Sequence, residues 1–561
     1  VYNRAGELIS LTQSGAGLTV GTATYEYDAA GRLRVATDAS GRSSYIYYDK
    51  AGRKVATANE RGEITEYRYD AAGRLVATIA YANALAGTNK AAFENPASSA
   101  DFASLRPAAS SADVWAWTVY DDAGRVIQAI DNGGGTVTNE YDSSGRLVKS
   151  IAWYNALSTA QLNALRVAVP TSSVLPAAHA RDVVARSFYN AAGQQVGVLD
   201  GEGHLTETIY DSAGLAVETI AYATATRPAD RASGTFETLR AYVAGSSTVD
   251  RVGYSIYDGQ GLLRFAIDAQ GGVVGYNYDA AGRAVSVTAY ATQLDLSALS
   301  DRSFDAVKAA VTANSADRTS RTVYDAAGRE AYMVDAQGGV MAFSYDIAGR
   351  VTKVVAFDNL YSSGVTLSAL DNWAANSAQS GDTANRITRN WYDARGKVVY
   401  ALDAENFVTG YTYDQDGRAL STTRYGGPRV AVSDSTTVAQ LVPLLAGAPT
   451  TNAITVSQTY DDAGRVLTTT DGEGYVTRNT YNALGQLTDV YVADGTADQV
   501  PTHYEYDGAG RVKKQFFAYG EAEAISVQFT YDRPGNQTNV TDANSNTTSF
   551  TYAKLGRVLT T

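Results

Sequence analysis

Cysteine is absent from this 561-residue chain, so no disulfide, thiolate nucleophile or cysteine-based metal site can form. That absence is compatible with secretion without requiring it. Histidine is scarce: His179, His204 and His503 lie far apart in sequence, and none sits beside a nucleophile elbow, so they read as surface or sheet-face residues. No apolar run approaches the ~18 residues of a membrane helix. Positive charge is in deficit, with 46 Lys and Arg against 59 Asp and Glu and a formal net charge of −13. This balance favours solubility and disfavours a broad nucleic-acid surface. The chain opens at Val1 without a basic-then-apolar leader and stops at Thr561 just after a repeated motif, so both ends read as cuts through a longer protein.

What is abundant is Tyr, with 39 copies, and Gly, with 51. Many fall in one pattern, Tyr-(Asp, Asn or Ala)-x-x-Gly, which starts nineteen times between Tyr2 and Tyr552. Asp follows Tyr in fifteen copies, and Arg follows Gly in twelve. Nine of the intervals between starts are 21 residues, and from Tyr48 to Tyr481 the starts group into seven pairs that advance by 67 to 72 residues. A catalytic motif occurs once per site. A motif at nearly fixed spacing specifies a structural unit, here with a superperiod near 68 residues.

Local chemistry explains the motif. Asp suits the first position of a type I turn, where its carboxylate accepts nearby backbone N–H groups. The Gly that follows takes positive φ and produces a hairpin with a G1 bulge. The expected turn residues are Tyr27, Asp28, Gly31 and Arg32; Tyr69, Asp70, Gly73 and Arg74; Tyr141, Asp142, Gly145 and Arg146; Tyr278, Asp279, Gly282 and Arg283; Tyr345, Asp346, Gly349 and Arg350; and Tyr413, Asp414, Gly417 and Arg418. Arg74 is placed to pair with Asp70 or to lie on an aromatic ring. Flanking residues alternate with period two, as strands do: Tyr67 and Tyr69 on one face, then Leu75, Ala77 and Ile79 after the turn. Stacked rows of such rings are expected to join neighbouring hairpins.

A second turn closes the other end. Eleven residues after the first Tyr of each 21-residue interval stands Asp or Asn, as at Asp38, Asn59, Asp131 and Asp200, mostly in text such as "DGEG". Two strands per motif give about 38 strands, or ~180 Å of sheet at ~4.8 Å per strand, wide enough that accumulated twist should coil it. The longer intervals hold segments such as "TAQLNALRVAV" near Leu162, "TFETLRAYVA" near Phe236, "SFDAVKAAVTA" near Phe304, "TLSALDNWAAN" near Leu367 and "TVAQLVPLLAG" near Val438. Their three- and four-residue apolar spacing predicts short amphipathic helices, too short to stand alone and so packed on the sheet or a neighbouring turn, that replace every second "DxxG" connection and line one edge.

The motif and spacing together resemble the YD-repeat, or RHS-repeat, family along essentially the whole chain. The resemblance implies an all-β-dominated repeat protein: antiparallel hairpins wound into a spiral shell or hollow tube, here with a short helical insert in about every second connection. It further implies an encapsulated polypeptide toxin or a large secreted or cell-surface adhesive structure. The family's toxin shells end in a plug and self-cleavage region; no Asp-Pro occurs here, so no autoproteolytic aspartate carries over. Residues 1–47 read as irregularly spaced repeats, 48–490 as the regular paired array, and 491–561 as repeats without inserts.

Sharper chemistry finds less support. Paired carboxylates such as Asp121 and Asp122 already have a turn role in the repeat, and no catalytic residue is assigned. "DGEG" at Asp200 and Asp471, and Asp414 with Asp416, offer oxygen ligands that calcium uses, but the twelve-residue calcium loop is missing. "DNGGGT" at Asp131 lacks the Lys-Ser/Thr of a phosphate loop. No metal or cofactor is expected, and sugar binding by exposed Tyr is a third possibility. The expected role is a non-enzymatic structural segment of a giant secreted or surface-exposed bacterial protein, its partners being other copies or segments of itself, a surface glycan or an enclosed polypeptide. The alternative is a toxin-encapsulating shell.

Overall fold

The computed structural model describes every residue except 16–17, 247–248, 299–300, 427–431, 447–452, 533–534 and 555. Among the described residues there are 38 strands and eight α-helices. Thirty-six strands form one antiparallel sheet, and a short ladder, Thr551–Tyr552 with Val558–Thr560, stands apart. Strands pair with their neighbours in sequence. Lys54–Asn59 pairs with Ile64–Tyr69 through Ala56↔Glu66, and Ile64–Tyr69 pairs with Leu75–Ala80 through Arg68↔Ala77. The register then slips between Arg68 and Tyr69, and the same slip precedes Tyr27, Tyr141, Tyr278 and Tyr345. The chain divides into two compact units: Val1–Val184 with Tyr411–Thr423 and Ile454–Thr561, and Ala185–Gly410 with Arg424–Ala453.

The helical inserts leave at the edge expected of them and, as expected, pack on the sheet: each folds over one face of its own hairpins. In the second unit, Phe236–Val243 sets Leu239 and Val243 on Leu199 and Leu205. Phe304–Ala310 places Val307 against Phe265, Ile267 and Val273, and Leu367–Ala375 places Leu370 against Val334 and Val340. In the first unit, Gly87–Glu94 and Phe102–Leu105 bury Phe93, Phe102 and Leu105 on Ala56, Ile64 and Ile79. That pair of helices has no counterpart among the expected segments. Helices this short are marginal alone. Hydroxyl caps from Ser158, Thr235, Ser303 and Thr366 satisfy their first amides, and docking supplies the rest.

A buried polar clamp reinforces two inserts. Glu66, 1 % exposed, accepts from Tyr81 Oη at 2.5 Å, Arg106 Nη2 at 2.8 Å and Arg68 Nε at 2.9 Å. Burial opposes ionisation of Glu66, yet these three donors hold its carboxyl below the ordinary glutamate value. Glu207 repeats the arrangement with Tyr222 at 2.5 Å and Arg240 at 2.8 Å, and burial together with the bond to Glu207 pushes the Tyr222 hydroxyl up to about 12.

Where no helix follows, the same face changes composition. In the hairpins from Tyr460 to Tyr481, the positions occupied elsewhere by Leu199, Leu205 and Glu207 hold Thr470, Val476 and Arg478, and Arg478 pairs with Asp494 at 2.8 Å. Face composition follows cover. Leu239→Ala should therefore loosen its insert by about 2–5 kcal/mol. Hydrogen exchange should show lost protection in Phe236–Val243 while the sheet amides stay protected.

Candidate functional site

The corner at Tyr69 shows how the motif is built. The Asp70 N–H donates to Arg74 O and the Gly73 N–H to Asp70 O, each at 3.0 Å. Asp70 Oδ1 accepts the Arg74 N–H at 2.8 Å, while Oδ2 receives Arg74 Nε at 2.7 Å. Gly73 has φ +81°, and a Cβ there would meet nothing within 4 Å, so glycine serves conformation alone. At the opposite edge Gly62 has a second duty. A Cβ on it would lie 2.4 Å from Leu85 O, because the Leu85 N–H straps the start of the insert to Gly62 O at 2.8 Å.

The structure places the other corner residues alike. Gly31, Gly145, Gly282, Gly349 and Gly417 lie at φ +73° to +82°. Asp28–Arg32, Asp142–Arg146, Asp279–Arg283 and Asp346–Arg350 pair at 2.6–2.7 Å, and Arg418 Nε lies 2.7 Å from Asp414 Oδ2. For Asp70, Asp142, Asp279 and Asp346 the backbone amide of the following Arg, then its guanidinium, hold the carboxyl below the ordinary aspartate value.

The corners are also clamped to one another. Arg74 Nη1 reaches Asp121 O at 2.6 Å, and its guanidinium lies 5.0 Å from the Tyr120 ring centre. Tyr120 Oη donates back to Leu75 O at 2.9 Å. Arg32 likewise covers Tyr48, Arg53 covers Tyr69, Arg125 covers Tyr141, Arg329 covers Tyr345 and Arg350 covers Tyr392. Hydroxyls of Tyr27, Tyr69, Tyr141, Tyr278 and Tyr345 bond to Leu8 O, Lys54 O, Val126 O, Leu263 O and Glu330 O at 2.7–2.9 Å. Tyr413 ends the strand Val408–Tyr413. The expected rows of stacked rings give way to an alternation of guanidinium and phenol: a cation fits between rings that the ~4.8 Å strand spacing, taken two strands at a time, holds too far apart to touch.

Neutral corners keep the geometry. Asn190 and Gln194 exchange hydrogen bonds at 2.8 and 3.0 Å, and Gln194 Nε2 reaches Gly214 O at 3.3 Å. Leu215 stands where Arg stands in most corners, and beside it a cavity of about 530 Å³ is lined by Glu218, Tyr254, Asp258 and Arg302.

In the first unit, DxxG edges early in the chain meet Tyr-Asp corners from its later part. Arg42 pairs with Asp416. Arg61 lies 3.6 Å from Asp461 and 3.5 Å from Asp462, and Glu63 pairs with Arg465 at 3.0 Å. Asn132 Nδ2 donates to Gly508 O at 2.6 Å, and Lys554 Nζ to Asp182 O at 3.0 Å. All of these contacts but the last join three pairs of hairpins, beginning at Tyr27 and Tyr413, Tyr48 and Tyr460, and Tyr120 and Tyr506; in each pair, the later start is the twelfth after the earlier. The docking buries Asp461 to 2 % exposure.

Asp200 spends Oδ1 on the amides of Glu202, Gly203 and His204 at 2.8–2.9 Å, and the turn at Asp131 anchors Leu157 to Gly134. Among the described residues, no group of three or more His, Asp or Glu is placed to hold a metal ion. His503 pairs with Asp489 at 2.7 Å and stacks on Tyr519, His179 stacks on Tyr154, and His204 belongs to a turn.

Corners of this kind define a hairpin repeat whose units are riveted along one edge, a structural array. The RHS Repeat family model matches residues 2–43, 48–85 and 460–497. Among solved structures, the Photorhabdus luminescens Tc holotoxin pore is similar at 14% identity and TM-score 0.56, over 96% of this chain and 22% of that one. The crystal structure of TcdB2-TccC3 is similar at 15% identity and TM-score 0.43, over 98% and 30%. The first likeness shows a shared fold, and this chain spans about a fifth of that neighbour's length. No curated protein matches the chain.

Two predictions follow from the corner. Gly73→Ala should cost roughly 1–2 kcal/mol through the left-handed backbone alone. Asp70→Asn should lower the melting temperature, and adding Arg74→Gln should recover part of the loss by recreating the Asn190–Gln194 pairing, as read by thermal melts of all three variants. The second prediction concerns pH. The corner aspartates have lowered folded values, so their contribution is complete above the unfolded value near 3.8 and is lost as pH falls through the folded values. Melting temperature should hold steady from neutral pH down to about 4 and drop below it.

Proposed function

We propose that this chain is a wall segment of a large extracellular bacterial protein, in which riveted hairpins coil into a hollow spiral that serves adhesion, contact or passage. The observation that carries this reading is the edge-to-corner docking in the first unit. Hairpins twelve starts apart join into one wall, and a charged corner is buried at the joint. Corner carboxylates committed to backbone amides and guanidinium groups support a structural role, and no enzymatic step is assigned. The natural partners are further segments or copies of the same kind of protein.

One observation favours a second reading. On the face turned away from the inserts, Val137, Val198, Met333 and Met341 stay 37–38 % exposed, although each lies mid-sheet. A half-exposed apolar lining suits contact with an extended polypeptide, and the fold neighbour belongs to a holotoxin. Under this reading the wall encloses a polypeptide cargo.

Electron cryomicroscopy of the purified chain tests both. A spiral wall around an open lumen is the expected result, and a filled lumen would favour the cargo reading. Separate globules or a flat ribbon would overturn the proposal.

A further inference from the structure

Among the described residues, six joints between successive corners span a helical insert, and Arg follows the corner Gly at all but one. Arg74, Arg283, Arg350 and Arg418 close four of them alike. Each sets Nε 2.7 Å from Oδ2 of its own corner Asp and its guanidinium 4.4–5.0 Å from the ring centre of the next corner Tyr. The exception is the corner at Tyr210, where Leu215 stands in the Arg place. Asp211 Oδ1 still closes that turn, accepting the Ala213 and Leu215 amides at 2.9 Å. Among the described residues, Asp211 Oδ2 has no partner, no guanidinium lies over the Tyr257 ring, and the Tyr257 hydroxyl makes no hydrogen bond.

The cavity beside Leu215 brings these unused groups together. It measures about 530 Å³, and Asp211, Leu215, Glu218, Tyr254, Tyr257 and Arg302 are among its walls. That volume lies within the ~300–1,000 Å³ of small-ligand pockets. Leu215 leans toward the next corner, its Cδ1 3.9 Å from where a Cβ on Gly261 would stand, and offers an apolar wall without charge. Glu218 faces Tyr254 across the strand ladder and has no ion-pair partner among the described residues. Arg302, likewise unpaired, already covers the Tyr254 ring at 4.2 Å. Asp258 is engaged by Arg264 at 3.2 Å. Two unpaired carboxylates, Asp211 and Glu218, thus share the cavity with one unpaired cation, Arg302.

We infer that this cavity binds an arginine side chain presented by another polypeptide. The guest guanidinium takes the contacts that the repeat makes elsewhere with its own: Asp211 Oδ2 and the face of Tyr257. Glu218 balances its charge, and its methylene stem lies along Leu215. A lysine, a point charge without the planar fork, fits the carboxylate and the ring less well. This goes beyond the wall reading and does not depend on it.

Ligand-observed NMR of the full 561-residue chain with N-acetylarginine amide tests the site. The wild type should bind it saturably, and the neutral N-acetylcitrulline amide, close to it in shape, should not bind. Leu215→Arg supplies the guanidinium from the chain itself, so it should abolish binding and raise the melting temperature. Glu218→Gln should weaken binding several-fold with an unchanged melt. Absence of saturable binding by the wild type, equal binding of the citrulline compound, or binding that survives both Leu215→Arg and Glu218→Gln would overturn the inference. A chain that images as a hollow spiral yet fails to bind would leave the structural reading intact, so the two failures are distinguishable.

Discussion

The carboxylate at each corner answers two demands at once, and the sheet depends on its doing so. One oxygen closes the turn by accepting a backbone amide, and the other fixes the guanidinium of the residue four positions on. With its Nε face held, that guanidinium has one direction left, toward the carbonyl and ring of the next corner. A local turn thereby becomes a coupling between neighbours. Any single exposed ion pair of this sort contributes little. Repetition along one edge makes the arrangement a rivet line, and the Asn190–Gln194 corner shows that hydrogen-bond geometry can stand in for charge.

The insert-covered face obeys a complementary rule between a strand position and the residue at or just past the end of the next strand. Where Glu66 and Glu207 occupy the first, a Tyr hydroxyl at the second meets the carboxylate. Where the first is Gly275 or Gly410, a Tyr ring lies within about 3 Å of where a Cβ would stand, Tyr290 and Tyr425 respectively. Thr138 instead takes the indole N–H of Trp153 at 3.0 Å. Volume, charge and hydrogen bonding are exchanged between the two positions while the sheet beneath stays fixed. This is how repeats of very different sequence keep one superperiod.

Much of this fold was legible because its determinants are local. A turn that needs Asp first and positive φ at Gly leaves its mark within six residues, and repetition makes that mark conspicuous. The helices at Phe236 and Leu367 announce themselves by apolar spacing. Gly87–Glu94 does not, since its sequence buries only Phe93, and its stability comes from an aromatic cluster with Tyr47 and Phe102. The reach of Arg74 across 47 residues to Asp121 was hidden because insert length, not turn chemistry, decides how far along the chain the next corner lies. Contacts such as Glu63 with Arg465, 402 residues apart, join distant stretches of the first unit and leave no local trace.

Twelve starts separate the docked hairpins of the first unit, and inserts follow every second start over the regular array. Because twelve is even, starts within the regular array fall in phase, as bare Tyr48 faces bare Tyr460, while Tyr27, outside that array, is bare and faces helix-bearing Tyr413. Gain or loss of a lone hairpin would put the helices out of step with the joint, whereas gain or loss of a pair would not. Length in such a protein can therefore evolve by duplication in whole two-hairpin modules, and odd-numbered variants should be selected against.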